Sequence, residues 1–238
     1  MTSTSVVSDY QVVLDRIRLA TQQVGRKPAS VRLLAVSKTH TAAAVARLYA
    51  LGQRAFGENY LQDALPKITE LIDLELEWHF IGHIQSNKTR EIAKYFHWAH
   101  SVDRFKIASR LSQQRPSGMD PLNICLQINL DHESGKSGLD STQLIALAQR
   151  LQPLSGVRLR GIMVIPKPRK GFEQQLGGFQ RAQVLFHRLQ RELPGIDTLS
   201  MGMSGDLEAA IAAGSTLVRV GTAIFGQRSL KMRSTIDV

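Results

Sequence analysis

The chain of 238 residues has a single cysteine, Cys125, so no disulfide can form within it. Cys125 lies in the apolar stretch 121–128 and reads as a buried strand thiol, which fits a reducing cytoplasm. No apolar run approaches membrane-spanning length. Met1 to Ser8 lacks the basic head and apolar core of a signal peptide, so neither leader nor anchor is expected. Linkers, low-complexity tracts and sequence-level repeats are also missing, and a single domain over residues 1–238 is the simplest expectation. Acidic residues are in deficit, 20 against 30 basic, for a net charge of +10. That balance permits attraction to nucleic acid or to anionic metabolites. The basic groups at 167–170 and 231–233 are short and carry no interleaved aromatics, which argues against a specific nucleic-acid partner.

What is present is a regular alternation. Apolar strands are expected at 31–37, 54–57, 77–81, 96–101, 122–129, 157–165, 196–201 and 216–220. Helical patterns lie between them, at 41–51, 59–72, 87–94, 103–113, 141–151 and 204–213, with a long helix marked by Phe179 to Leu193. An amphipathic helix at 6–23 leads the chain, residues 131–138 read as a mobile loop, and 167–177 as loosely structured. Strict alternation means parallel strands with crossover helices. Eight such units imply an α/β fold, a single (β/α)8 TIM-type barrel with an extra N-terminal helix, the alternative being an open doubly wound sheet.

Within this frame one segment stands out, Leu33-Leu34-Ala35-Val36-Ser37-Lys38-Thr39. A lysine at the tip of a buried strand reads in two ways. Either it snorkels to water, or desolvation disfavours its ammonium form and leaves an amine suited to Schiff-base chemistry with an aldehyde. Barrel chemistry sits at strand exits, which here are Lys38, Asn59, His83, the run from Met163 to Pro166, Ser200 to Gly205, and Arg219 to Thr222. The loops after strands seven and eight are where barrels commonly hold phosphate. Gly202 and Gly221 let backbone approach an anion there, and Ser200, Ser204 and Thr222 offer hydroxyls. Ser204 also reads as the N-cap of the helix that follows. The alternative is that these are ordinary turn glycines and a cap. A Schiff-base lysine with a phosphate cradle points to pyridoxal 5′-phosphate as cofactor. Arg219 falls on the strand face of Gly221, where it would meet the ring nitrogen as a permanent cation, a phosphate, or a structural ion-pair partner.

The motifs at 34–39, 56–60, 78–88, 160–163, 199–204 and 218–226 together resemble the pyridoxal phosphate homeostasis proteins, the YggS-like family, itself related to the barrel domain of alanine racemase. The resemblance implies a cofactor held covalently on Lys38 and Arg219 facing the ring nitrogen. It implies phosphate contacts from Ser200, Gly221 and Thr222, a pocket lined by Asn59 and His83, and Met163, Met201 and Gly202 within the cofactor-binding set. It further implies a cytoplasmic monomer that buffers or delivers the cofactor, with apoenzymes as recipients and without established turnover. A racemase-like enzyme acting on amino acids is the alternative. Three weaker signals fall away. Gly135-Lys136-Ser137 lacks the earlier glycine of a nucleotide loop, Leu130 standing in its place, although Lys136 could carry the aldehyde transiently. Asp206 replaces the second glycine of a nucleophile elbow. His79 and His83 share a strand face, yet no carboxylate or cysteine completes a metal set with them, so no metal is expected.

Overall fold

The computed structural model describes residues 3–133, 135 and 137–226. Eight parallel strands close in sequence order: β1 (Arg32–Val36), β2 (Ala55–Glu58), β3 (Glu77–Phe80), β4 (Trp98–Val102), β5 (Leu122–Ile128), β6 (Val157–Val164), β7 (Thr198–Ser200) and β8 (Leu217–Val220). β8 pairs back onto β1, from Arg32↔Leu217 to Ala35↔Val220, so the sheet is a closed barrel and not an open doubly wound one. Helix α1 (Ser3–Gln23) precedes the barrel. The crossover helices are α2 (Ala42–Ala50), α3 (Leu61–Glu70), α4 (Thr89–Tyr95), α5 (Phe105–Gln114), α6 (Leu144–Leu151), α7 (Phe172–Glu192) and α8 (Leu207–Ala212), and a single turn, α9 (Thr222–Phe225), follows β8. Among the described residues no helix is long and apolar enough to cross a membrane.

Period-two alternation sorts every strand into two faces. Along β5, Leu122, Ile124, Leu126 and Ile128 join the main core between barrel and helices, while Cys125 points inward to a small cluster with Trp98 and Met163. Burial pushes the Cys125 thiol up to about 12, so it is an inert packing group. Along β1, Leu33 and Ala35 face the helices, and Leu34 faces the interior with Ala55 and Leu217. The barrel interior is thus two small apolar clusters flanking a polar column formed by His79, His100, Ser200 and Arg219.

Two local expectations change. Residues 172–178 belong to α7, which begins seven residues before Phe179. Gly177 and Gly178 dilute the helical pattern, yet Gly178 is where the Arg169 guanidinium lies against the helix: a Cβ there would stand 2.8 Å from its Nη1. Ser204 does not cap α8, whose N-cap position is Asp206; its hydroxyl accepts from Ala223 N–H (3.3 Å) and ties the β7 exit to α9. Lys136 and the basic group at 231–233 lie outside the described residues.

Candidate functional site

Lys38 occupies a corner of a tight turn. The N–H of Ser37 extends the sheet by donating to Gly57 O (3.0 Å), and the N–H of His40 donates back to Ser37 O (3.0 Å), leaving Lys38 and Thr39 as the central residues. Thr39 has φ 66°, a left-handed conformation that a β-branched residue rarely adopts. The turn is pinned from inside. Lys67 of α3 donates to Ser37 O (2.9 Å) and to Glu58 Oε1 (2.5 Å), and the Ser37 hydroxyl donates to the same carboxylate oxygen (2.6 Å). Glu58 is fully buried, and Lys67 nearly so. Burial pushes the Glu58 carboxyl upward against the pull of Lys67 and Ser37.

A cavity of about 340 Å³ opens at this end of the barrel. Half-buried Lys38 lies on its wall beside His40 and Asn59; Arg219, Gly221 and Thr222 from the β8 exit and Ser204 from the β7 exit also line it. Because β8 pairs with β1, the β8 exit is next to Lys38 rather than across the rim from it. The N–H groups of Ser204 and Gly205 meet no acceptor among the described residues. Asn59 is set by Gly82: any Cβ there would run into the Asn59 carbonyl oxygen. His40 stacks on Phe225 with ring centroids 4.6 Å apart, and burial, then Lys67, lowers its pKa.

Arg219 is 5% exposed and directed by two acceptors, Ser200 Oγ (2.7 Å, from Nη1) and Val164 O (2.9 Å, from Nη2). Burial lowers its pKa to about 10, which leaves a cation at neutral pH. The wall therefore combines a primary amine, a fixed guanidinium and two hydroxyls around a space of small-molecule size.

The structure brings Lys38, Asn59, Arg219, Gly221 and Thr222 together on this cavity and leaves the other five expected residues off its wall. Ser200 is wholly buried beneath Arg219, where its hydroxyl is taken up by Arg219 and His100, so it braces the guanidinium. Met201 falls on the opposite strand face, in the helix-side core, by the same alternation that turns Ser200 inward. Met163 points inward but one step before Ile165, and packs with Trp98 and Cys125. Gly202 (φ 94°) serves packing: a Cβ would stand 2.5 Å from Ala210 Cβ of α8. His83 is exposed at a neighbouring hollow with Tyr60, Gln62 and Lys88, its Nδ1 2.9 Å from Ser137 Oγ. Sequence reasoning did not place His40 or Ile81 on the wall, and it reached Ile165 and Met203 only as members of the strand-exit runs 163–166 and 200–205; for Ile81 and Ile165 a sharper signal was present, as the next inward positions after His79 and Met163. No cluster able to hold a metal ion occurs among the described residues.

Residues 9–229 match the family model described as alanine racemase, N-terminal domain. A Pseudomonas aeruginosa protein named pyridoxal phosphate homeostasis protein is 56% identical over 224 residues, covering 94% of this chain and 96% of that protein. An Escherichia coli protein of the same name is 49% identical over 219 residues, covering 91% and 94%. Among solved structures, PipY of Synechococcus elongatus is 41% identical and covers 89% of this chain and 99% of its own, with TM-scores of 0.78 without PLP and 0.77 with PLP bound. With the closed barrel and a lysine turn beside an arginine-braced cavity, these likenesses place the chain in the alanine racemase N-terminal domain family, among the pyridoxal phosphate homeostasis proteins.

Proposed function

We propose that this chain binds pyridoxal 5′-phosphate in the cavity at Lys38 and buffers it or delivers it to cofactor-dependent apoenzymes. The observation that carries the reading is the juxtaposition on one wall of Lys38, Arg219, Ser204 and Thr222, in a relative of a protein whose structure has PLP bound. The cavity fits the ligand: 340 Å³ accepts a small aromatic phosphate, with an amine on one side and hydroxyl and glycine donors beside it. When bound, pyridoxal 5′-phosphate supplies an aldehyde that condenses with a primary amine. Lys38 supplies that amine, and the Ser37–Glu58–Lys67 network fixes the turn carrying it. Ser204, Gly205, Gly221 and Thr222 offer donors to a phosphate, Asn59 closes the side wall, and Arg219 presents a cation to the ring.

A permanent cation against the ring nitrogen would keep that nitrogen unprotonated and weaken its electron withdrawal, which supports a holder over a catalyst. The relatives are named for homeostasis rather than for a reaction. Cytoplasmic location and a monomeric state belong to the same proposal.

The test is optical. Purified chain is loaded with pyridoxal 5′-phosphate, desalted and scanned in the visible region. Wild type is expected to be yellow, to bleach with borohydride, and to yield a pyridoxyl-modified peptide containing Lys38; Lys38→Ala should be colourless after desalting. A yellow Lys38→Ala variant, or label on another lysine, refutes the assignment. Sustained racemisation of a single L-amino acid by the loaded protein would replace the holder reading with an enzyme.

A further inference from the structure

The polar column inside the barrel forms one continuous line of hydrogen bonds. Glu77 Oε1 lies 2.6 Å from His79 Nε2, His79 Nδ1 lies 2.9 Å from His100 Nε2, and His100 Nδ1 lies 3.0 Å from Ser200 Oγ. Ser200 Oγ in turn accepts from Arg219 (2.7 Å). The line runs from the barrel floor, where Arg32 also donates to Glu77 (2.8 Å), to the cavity wall. His79, His100 and Ser200 are each wholly buried. A buried polar group without a partner is destabilising, and every ring nitrogen here has one.

The two ends fix everything between them. A guanidinium can only donate, and a carboxylate can only accept. Burial alone would raise the Glu77 carboxyl, but the hydrogen bond from His79 and the charge and hydrogen bond of Arg32 work against it and favour the carboxylate. Glu77 accepts, so His79 carries its proton on Nε2 and donates to it. A neutral His79 then accepts at Nδ1, so His100 carries its proton on Nε2 and donates to it. A neutral His100 in turn accepts at Nδ1 from the Ser200 hydroxyl, whose oxygen keeps a lone pair for Arg219. Burial keeps both rings neutral, with His100 disfavoured further by His79 and Arg219. Trp98 stacks on His79 (centroids 5.3 Å apart, planes 6° apart) and locks its orientation.

We infer that Glu77, His79, His100 and Ser200 are a positioning relay that holds both imidazoles as neutral Nε2–H tautomers and fixes the guanidinium of Arg219 at the cavity wall. A carboxylate on the floor thereby orients a cation at the mouth without contacting it. Its relevance to pyridoxal 5′-phosphate rests on the function proposed above; the relay itself does not.

The experiment is nitrogen NMR of the full, ligand-free chain labelled on histidine, with assignments from His79→Gln and His100→Gln. Wild type at neutral pH should show pyridine-like Nδ1 and pyrrole-like Nε2 signals for both residues. In Glu77→Gln the end that forces the direction is gone, so the ring signals of His79 and also of His100, two hydrogen bonds away, should move. A purely structural Glu77 would disturb His79 alone. An Nδ1–H tautomer or an imidazolium at either position, or an unmoved His100 in Glu77→Gln, overturns the relay. Binding of pyridoxal 5′-phosphate is then compared by visible titration, and Glu77→Gln should weaken it about fivefold or more; unchanged affinity overturns the link to Arg219. If wild type takes up no cofactor, the proposed function fails while the ring signals still decide the relay.

Discussion

Lys67→Met isolates what the turn beneath Lys38 depends on. The lysine and its partner are 5% and 0% exposed, so the substitution leaves a carboxylate in the interior without its cation and removes one of the two donors to Ser37 O, the N–H of His40 remaining. Breaking a buried pair from one side costs about 3–5 kcal/mol. At about 2–4 °C per kcal/mol for a chain of this length, the melting temperature should fall by roughly 10 °C at pH 8. The sign with pH follows from Glu58. Its folded pKa is already raised by burial, and removing Lys67 deletes the largest influence lowering it. The folded variant therefore binds more protons than the unfolded chain from about pH 4.3 upward, and its stability falls as pH rises. The deficit against wild type should be largest at pH 8 and shrink toward pH 5. Adding Glu58→Gln removes the stranded charge and should recover about 1–2 kcal/mol at pH 8. Urea unfolding followed by circular dichroism at both pH values measures all of this. A deficit constant with pH, or a double variant as unstable as the summed singles, would show that the pair is not the support described.

Further outcomes are expected. Thr39→Gly removes a left-handed β-branched residue and should raise stability by about 0.5–1 kcal/mol after the entropy of glycine is counted, read as a melting point 1–4 °C higher. Asp131→Ala removes the acceptor of Arg169, Arg181 and Lys167 N–H; a loss of about 1–3 kcal/mol and faster proteolysis near 166–171 should follow. Those same partners hold the Asp131 carboxyl well below the usual range, so its contribution is present above about pH 4 and lost only as pH falls below it. Gly202→Ala must accommodate a Cβ against Ala210 at an unfavourable φ, and should cost about 2 kcal/mol or more in the same unfolding assay.

The eight strands were legible because each is a short apolar run bounded by turn residues, and their order follows from alternation with helices. Lys38 and the pair Arg219 and Gly221 were equally legible, since strand period alone puts inward residues two apart. Applied to β7, the same rule separates Ser200 from Met201, and carried past the ends of β3 and β6 it reaches Ile81 and Ile165. The start of α7 was hidden by Gly177 and Gly178, whose role appears only once Arg169 is seen lying across the helix.

The sequence by itself determined the barrel, its inward faces and the strand exits, because these depend on local periodicity. Tertiary structure alone decided how deep each inward residue sits. Depth is set by how the strands are staggered in a closed sheet, which no single strand encodes. Closure of the sheet brings β8 beside Lys38, and stagger buries Ser200 beneath Arg219 and aligns Glu77, His79 and His100, from two strands, into one line that ends at the cavity.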